Sequence, residues 1–251
     1  MSTRETVRVS GPDAEAYLQG QISQDVVALA VGETAWALIL QPTGKVDAWF
    51  RIHRVADAEF LLDVDAGHRD AMVARFERFK LRTDATFDAT DDTIPTPIEW
   101  PGLDDPSNER QRILAGLPRM GAELTENTIP GEGGQRLIDL SVSFTKGCYT
   151  GQELVARIDS RGGNVPRPIR VLQAVGDTAV GDTAVGDTAV GDTAVGDIAV
   201  GDEVRFGEQV VGVVTSAAGD VALAPVMRKV ELGDRVEVGS VVATVIEPAG
   251  S

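Results

Sequence analysis

The fold is decided by the stretch TAWALIL-QPTG-KVDAWFRIHRV at residues 34–55. Its two outer runs are rich in β-forming residues, and in the second run apolar residues alternate with Asp47, Trp49 and Arg51. The central QPTG contains proline and glycine, which turns favour. The stretch therefore predicts a β-hairpin with its tip at residues 42–44.

The segments after the hairpin predict a sheet that is covered by helices. EFLLDVD at 59–65 is a further strand, and AGHRDAMVARFERFKL at 66–81 places Met72, Phe76 and Phe79 on one face of a helix. Strands that are paired by hairpins and covered by helices are typical of an α+β domain with antiparallel sheets.

Capping and helix-breaking residues predict the other elements. A strand is expected at 6–10, and the segment 88–108, rich in Asp, Thr and Pro, is expected to be a connection with one strand at most. Helices are predicted to start near Asp13, Ser23, Ser107 and Gly151. Asp13 and Ser107 are also expected to cap their helices with their side chains.

The C-terminal part differs in composition. Short β-forming runs separated by glycine follow Val204, and they predict a small all-β barrel. Before them stand six pentads, AVGDT and close variants, whose apolar surface is too small for a stacked solenoid. We interpret the pentads as a tandemly expanded loop. The predicted organisation is an α+β region at 1–172, a repeat loop at 173–203 and a barrel at 204–248, to which a strand at 168–173 also belongs.

Charge and composition exclude several classes of function. The 23 Lys and Arg against 39 Asp and Glu give a net charge of −16, which argues against direct nucleic-acid binding. No apolar run is long enough to span a membrane, and the first residues lack the apolar core of a signal peptide, so a cytoplasmic location is expected. The protein is also expected to be a monomer. A single cysteine and two histidines without ligand spacing predict neither a disulfide nor a metal site.

The segment KGCYTGQE at 146–153 is the strongest candidate for chemistry. A lone cysteine, Cys148, stands two residues after Lys146 and before a glycine turn that opens a helix. Two interpretations of Cys148 stay open, a reactive or ligand-contacting thiol and a small buried apolar residue. Core packing is the alternative for Tyr149, and helix capping is the alternative for Gln152 and Glu153.

This segment resembles the signature of the YgfZ family of folate-binding proteins, which is related to the glycine-cleavage aminomethyltransferases (GcvT). DAEAYLQGQISQDV at 13–26, QPTGKVDAW at 41–49 and AGLPRMGAELTENTIPGE at 115–132 also resemble that family, as do GVVTSAA and LAPVMR in the tail. The resemblance covers nearly the whole chain apart from the pentads. It implies a GcvT/YgfZ-like α+β fold with a C-terminal barrel and a channel that holds tetrahydrofolate or another reduced folate.

The resemblance also implies roles for particular residues. Cys148 and Lys146 are candidate catalytic residues, with Asp47 as a weaker third. The folate-binding candidates are Arg112, Glu123, Gly147, Tyr149, Gly151, Gln152, Glu153 and Arg157.

The function that the resemblance implies is support of iron–sulfur cluster assembly or repair and, indirectly, of tRNA modification. The implied partners are iron–sulfur enzymes or assembly proteins. An aminomethyltransferase-like one-carbon transferase and a catalytically inert interaction protein are the alternatives. Ala48 stands where aminomethyltransferases carry a second acid, which disfavours the transferase.

Overall fold

The structure is a computed structural model that describes residues 4–160, 162–175 and 196–250. The chain forms two compact units. The first contains Met1–Glu99 and Pro118–Pro166, and the second contains Trp100–Leu117 and Arg167–Ser251. No helix in the described ranges is long and apolar enough to cross a membrane.

The first unit is built on a five-stranded antiparallel sheet with the strand order β2-β3-β4-β1-β5. The strands are β1 (Arg4–Ser10), β2 (Thr34–Leu40), β3 (Val46–Ala56), β4 (Glu59–Asp65) and β5 (Thr86–Thr90). The helices of this unit are α1 (Ala14–Gln21), α2 (Arg69–Phe79), α4 (Gln135–Ser141) and α5 (Gln152–Asp159), with a 3₁₀ turn at Pro130–Gly133.

The hairpin and the amphipathic helix are confirmed. Strands β2 and β3 pair from Thr34↔His53 to Leu40↔Val46 around the QPTG turn. In α2, Met72 and Phe76 are buried, and the ring of Phe76 stacks on that of Phe87 with 5.0 Å between the centroids. The apolar face of α2 therefore packs on the sheet, as its periodicity requires.

The second unit contains a seven-stranded antiparallel sheet with the order β8-β7-β11-β12-β6-β10-β9. Its strands are β6 (Ile169–Ala174), β7 (Glu203–Phe206), β8 (Gln209–Val213), β9 (Ser216–Ala218), β10 (Val221–Pro225), β11 (Arg235–Val238) and β12 (Val241–Ile246). The sheet curls on itself, because the amide of Met227 donates to the carbonyl of Val211 and Gly212 bridges to Val226. Helix α3 (Glu109–Leu114) packs against β9 and β10.

The antiparallel sheets, the covering helices and the curled sheet confirm the α+β fold class with a barrel-like C-terminal sheet. Strand β6 lies in the sheet of the second unit, between β12 and β10. Most of the pentad loop predicted at 173–203 lies outside the described residues, so its boundaries stay a prediction.

The predicted helix starts near Asp13 and just after Gly151 are confirmed, since α1 begins at Ala14 and α5 at Gln152. The start near Ser23 and the side-chain caps at Asp13 and Ser107 are wrong. No helix begins near Ser23, since the Ser23 hydroxyl donates to the Ser141 carbonyl and accepts from the Leu38 amide, which fixes an irregular segment instead. The Asp13 carboxylate accepts from the Asp84 amide and does not cap α1. Helix α3 is capped by Asn108, one residue after the predicted Ser107, because the Asn108 side chain accepts from the Gln111 amide.

Candidate functional site

The loop that carries the KGCYTGQE segment lies between α4 and α5, and its lysine points into the protein. The Lys146 ammonium donates to the backbone carbonyls of Gln19, Ile22 and Gln24 at 2.7, 2.8 and 2.7 Å. An ammonium has three protons and no acceptor, so these three bonds use its donors completely. Lys146 therefore ties its loop to the irregular segment after α1.

Burial and charge act in opposite directions on this ammonium. Burial lowers the pKa of Lys146 to about 8, and the carboxylate of Asp25 opposes that shift. The charged, three-donor form therefore predominates at neutral pH. The ammonium also lies 5.2 Å from the centroid of the Tyr149 ring, within the range of a cation–π contact. These contacts make Lys146 a clamp for the loop and leave it no proton donor for a ligand.

Two glycines, Gly151 and Gly44, let the C-terminal end of the KGCYTGQE segment lie close against the hairpin turn. Gly151 has φ +82°, and a Cβ built on it would lie 2.5 Å from the Gln41 carbonyl oxygen and 2.6 Å from Leu40 Cβ. Gly44 at the hairpin tip has φ +85°, and its Cβ would meet Leu154 of α5 at 2.4 Å. The start of α5 thus lies against the β2–β3 turn, at a distance that only glycines allow.

The polar residues of the segment have structural partners. The Gln152 side chain accepts from the Tyr149 amide, which closes the first turn of α5, and Tyr149 is buried. Burial raises the pKa of Tyr149 to about 12, so its hydroxyl stays neutral. Glu153 and Arg157 form an i,i+4 ion pair on the exposed side of α5.

Cys148 differs from its neighbours because it is exposed. The interpretation of this residue as a small buried apolar side chain is therefore wrong. Gly147, beside it, has open space where a Cβ would stand. The clamped residues on either side hold the thiol at the surface, where a reagent, a ligand or a partner protein can reach it.

Two further predicted binding residues, Arg112 and Glu123, lie outside the KGCYTGQE segment and form hydrogen bonds to other groups of the protein. Arg112 belongs to the second unit, where its buried guanidinium donates to the Glu109 carboxylate and to the Leu117 carbonyl. Glu123 belongs to the first unit; its buried carboxylate accepts from the Arg119 amide at 2.9 Å. Each of them stabilises the loop around it.

The first unit contains a cavity of about 600 Å³ between α2, the start of β3 and the loop 120–126. This volume is within the range of small-molecule sites. We call this cavity the α2 groove. Its lining consists of Ile39, Asp47, Ala48, His68, Ala71, Met72, Ala74, Arg75, Arg78, Met120, Gly121, Leu124, Thr125 and Glu126. Of the predicted site residues, Asp47 is the one in this lining.

Asp47 is held by an arginine from the helix opposite. Its Oδ2 atom accepts from Arg75 Nε at 2.9 Å, and no residue in the described ranges bonds to Oδ1. Arg75 also donates to the Leu40 carbonyl and the Gln21 side chain, and its guanidinium lies 3.6 Å from the Phe79 ring centroid. One carboxylate oxygen in the groove is therefore open to a ligand, and the carboxylate itself is fixed in place.

The other polar residues of the groove were not predicted as site residues, among them His68, Arg78 and Glu126. His68 lies against Gly121, where a Cβ would approach its Nε2 atom to 3.0 Å. Arg78 is exposed one turn along α2 from Arg75, on the same face. The i,i+3 spacing of Arg75 and Arg78 was the sequence signal that could have indicated a binding face on α2. Polar residues on an amphipathic helix, however, indicate a face exposed to solvent just as well.

Across the described residues, no group of three metal-binding side chains occurs.

Several known proteins are similar to this chain in sequence, although no family model matches it. An uncharacterized protein of Haemophilus influenzae is 31% identical over 188 residues, which cover 63% of this chain and 67% of that protein. A mitochondrial iron–sulfur cluster assembly factor IBA57 homolog of Pyricularia oryzae is 28% identical, covering 64% of this chain and 54% of that protein. A tRNA-modifying protein YgfZ of an Enterobacter species is 26% identical, covering 62% and 65%. The chain thus spans between about half and two thirds of the length of these relatives.

A solved structure shares the fold. The crystal structure of glycine cleavage system aminomethyltransferase T from Bartonella henselae superposes with a TM-score of 0.74 over 98% of this chain and 83% of that protein, at 16% sequence identity. At that identity the likeness concerns the fold alone. The sequence relatives establish that the chain belongs to the YgfZ-type family, and the solved structure shows that its fold is GcvT-like.

Proposed function

We propose that the chain binds a reduced folate, such as tetrahydrofolate, in the α2 groove, and that the bound form supports the assembly or repair of iron–sulfur clusters. The observation that carries the proposal is the groove itself: about 600 Å³ of space with a fixed carboxylate, Asp47, whose Oδ1 atom is open. tRNA modification would depend on this activity indirectly, through the iron–sulfur enzymes that perform it.

The groove suits the chemistry of a folate. The pterin ring presents an amino group and a ring N–H side by side, and the Oδ1 atom of Asp47, which Arg75 leaves unbonded, can accept from such a donor. Apolar lining from Ile39, Met72 and Leu124 suits the flat ring system. The Arg78 guanidinium, also in the lining, matches the carboxylates of the folate tail.

The proposed role in iron–sulfur cluster assembly and tRNA modification is supported by the names of two relatives. One is called an iron–sulfur cluster assembly factor and the other a tRNA-modifying protein. We extend these roles to this chain because family membership and the exposed thiol are both compatible with them. The partners would be iron–sulfur enzymes or their assembly proteins.

Aminomethyl transfer is the second candidate, and the groove disfavours it. Asp47 is bonded to Arg75, and its neighbour Ala48 brings no second acid into the lining. A transferase would need a carboxylate free to move a proton at the reacting carbon. Turnover with an aminomethyl donor, measured alongside folate binding, separates the two functions.

We expect titration calorimetry to show tetrahydrofolate binding, and Asp47→Asn to weaken it by about tenfold or more, because a bond to a charged acceptor is lost. Asp57→Asn on the surface is the control and should bind like the parent protein. Melting curves of both variants report whether loss of the Arg75 ion pair has disturbed the fold. Absence of heat and of thermal stabilisation with every reduced folate would reject the proposal.

The predicted folate contacts from Arg112, Glu123 and the KGCYTGQE segment form a separate prediction. Glu123→Gln tests it under the same conditions, because that change keeps the size of the side chain and removes its charge. If Glu123→Gln abolishes binding in a protein with an unchanged melting temperature and Asp47→Asn does not, the folate lies outside the α2 groove.

Cys148→Ser and Cys148→Ala are expected to fold and to bind folate normally, because the thiol is exposed and its loss leaves no cavity. Both variants should fail to support iron–sulfur enzymes in cells that depend on this protein, measured as the activity of one such enzyme. Full support by both variants would remove the thiol from the function.

A further inference from the structure

The segment between α1 and β2 presents apolar side chains to water. Its stretch VVALAV at 26–31 contains no polar side chain. Val26 and Leu29 are buried, whereas the other four residues of the stretch are exposed: Val27, Ala28, Ala30 and Val31. The exposed fraction is 58% for Val27 and 56% for Val31. Apolar residues that are exposed side by side in this way are typical of a surface that binds another molecule.

The end of β3 enlarges this surface. The Gly32 amide donates to the Arg54 carbonyl at 2.8 Å, and the Arg54 amide donates to the Glu33 carbonyl at 3.0 Å. These bonds continue the pairing of β2 with β3 as far as Gly32, so that the end of β3 lies alongside the exposed stretch. We call the exposed apolar residues of the two strands of chain the valine patch: Val27, Ala28, Ala30, Val31, Val55 and Ala56.

Hydrogen bonds fix the backbone beneath the valine patch. Three of its amides donate to polar side chains of the same unit: Val26 to Gln19, Ala28 to Asp25 and Ala30 to Glu33. The Arg54 guanidinium donates to the carbonyls of Val26 and Leu29. Because these backbone groups are already bonded, a partner cannot bind them as an added strand. It has to pack side chain against side chain.

The charges around the valine patch are acidic. Asp25 and Glu33 flank the exposed stretch, and Glu15 lies close by in an ion pair with Arg54. The Arg54 side chain is 11% exposed and is already bonded to that carboxylate and to the two carbonyls. The whole chain has a net charge of −16, so two copies would repel each other across this surface. A basic partner is therefore favoured over a second copy.

We propose that the valine patch is a docking surface for a basic amphipathic helix of another protein, one whose large apolar side chains lie between lysines or arginines. A helix bonds its own backbone groups, so it can pack on a surface whose backbone is already bonded. Its apolar stripe covers the valines, and its cations face Asp25 and Glu33. The Gln24 carbonyl, at the start of the same segment, accepts from Lys146. A docked protein is thus held on the segment that Lys146 joins to the Cys148 loop.

The test measures the binding of two synthetic helical peptides by fluorescence anisotropy at low salt. One peptide has leucines at i, i+4, i+7 and i+11 with lysines on both sides, and the other has glutamates in place of the lysines. The parent protein should bind the lysine peptide at least about tenfold more tightly. Val31→Asp and Val55→Asp should each weaken this binding by about tenfold, because each removes a buried valine from the contact.

Leu232→Asp is the matched control. Leu232 is 50% exposed, lies in the other unit and gives the same change of charge. If net charge alone attracted the peptide, all three variants would bind it slightly more tightly than the parent protein does. We expect weaker binding in Val31→Asp and Val55→Asp and a change of at most about twofold in Leu232→Asp. Melting curves check that each variant is folded, and the two patch variants alter different parts of the chain.

Failure of the parent protein to bind the lysine peptide would overturn the inference, and so would unchanged binding in folded Val31→Asp and Val55→Asp. An equal loss in Leu232→Asp would also overturn it, because the peptide would then not depend on the patch. Sedimentation velocity tests the second copy. A dimer of the parent protein that Val31→Asp dissociates would assign the valine patch to self-association and reject the basic helix as its occupant.

Discussion

Lys146→Met should lower the free energy of unfolding by about 3 kcal/mol or more, because it removes three hydrogen bonds from a charged donor. Methionine fills the volume of the lysine stem, but the carbonyls of Gln19, Ile22 and Gln24 lose their common donor. Urea unfolding followed by tryptophan fluorescence measures the effect, since Trp36 and Trp49 both lie in the same unit as Lys146.

The control for this change is Lys229→Met. The Lys229 ammonium is exposed and donates to one side chain, that of Gln209. Its replacement should alter stability by less than about 1 kcal/mol. If Lys146→Met were as stable as Lys229→Met, the three-carbonyl clamp would contribute nothing and Lys146 would be available for chemistry.

Gly151→Ala should be comparably destabilising, by about 3 kcal/mol or more, for two reasons that add. The residue has φ +82°, which costs an L-amino acid roughly 1–2 kcal/mol, and the new Cβ would lie 2.5 Å from the Gln41 carbonyl oxygen. The hairpin turn would have to move away from α5. We expect a lowered urea midpoint, and also altered reactivity of Cys148 towards an alkylating reagent, since its loop ends at this contact.

Gly32→Ala separates these two contributions. Gly32 has φ +90°, but nothing lies within 4 Å of where its Cβ would be. Its replacement therefore carries the backbone cost alone and should destabilise the protein by roughly 1–2 kcal/mol. Equal losses in Gly151→Ala and Gly32→Ala would show that the close approach between α5 and the hairpin is not maintained in solution.

The elements that the sequence predicted well are those with local signals. Alternation and a proline–glycine turn fix the hairpin at 34–55, and the apolar spacing of Met72 and Phe76 fixes α2. Cap positions were less predictable. Asp13 and Ser107 are good capping residues, but Asp13 bonds to Asp84, far along the chain, and Asn108 competes with Ser107 for the same helix end.

The candidate site was harder to predict because its contacts join distant parts of the chain. The sequence indicated Lys146 beside Cys148 as a charge for chemistry, but the acceptors of that charge are carbonyls more than a hundred residues upstream, and backbone carbonyls leave no mark in a sequence. Asp47 was selected through the family resemblance, and its partner Arg75 follows only from the packing of α2 on the hairpin. The sequence shows which side chains could act as an acid, a base or a nucleophile. The tertiary structure determines which of these side chains are already hydrogen-bonded within the protein and which can still bond a ligand.

The position of β6 has a consequence for synthesis on the ribosome. This strand lies inside the sheet of the second unit, yet both of its neighbours, β10 and β12, follow it in the chain, beyond the pentads. A nascent chain therefore carries β6 with both hydrogen-bonding edges unpaired until Val221–Pro225 and Val241–Ile246 have been translated. Unpaired strand edges invite association with other chains. Association of nascent chains through the edges of β6 is therefore expected until these two later strands have been translated.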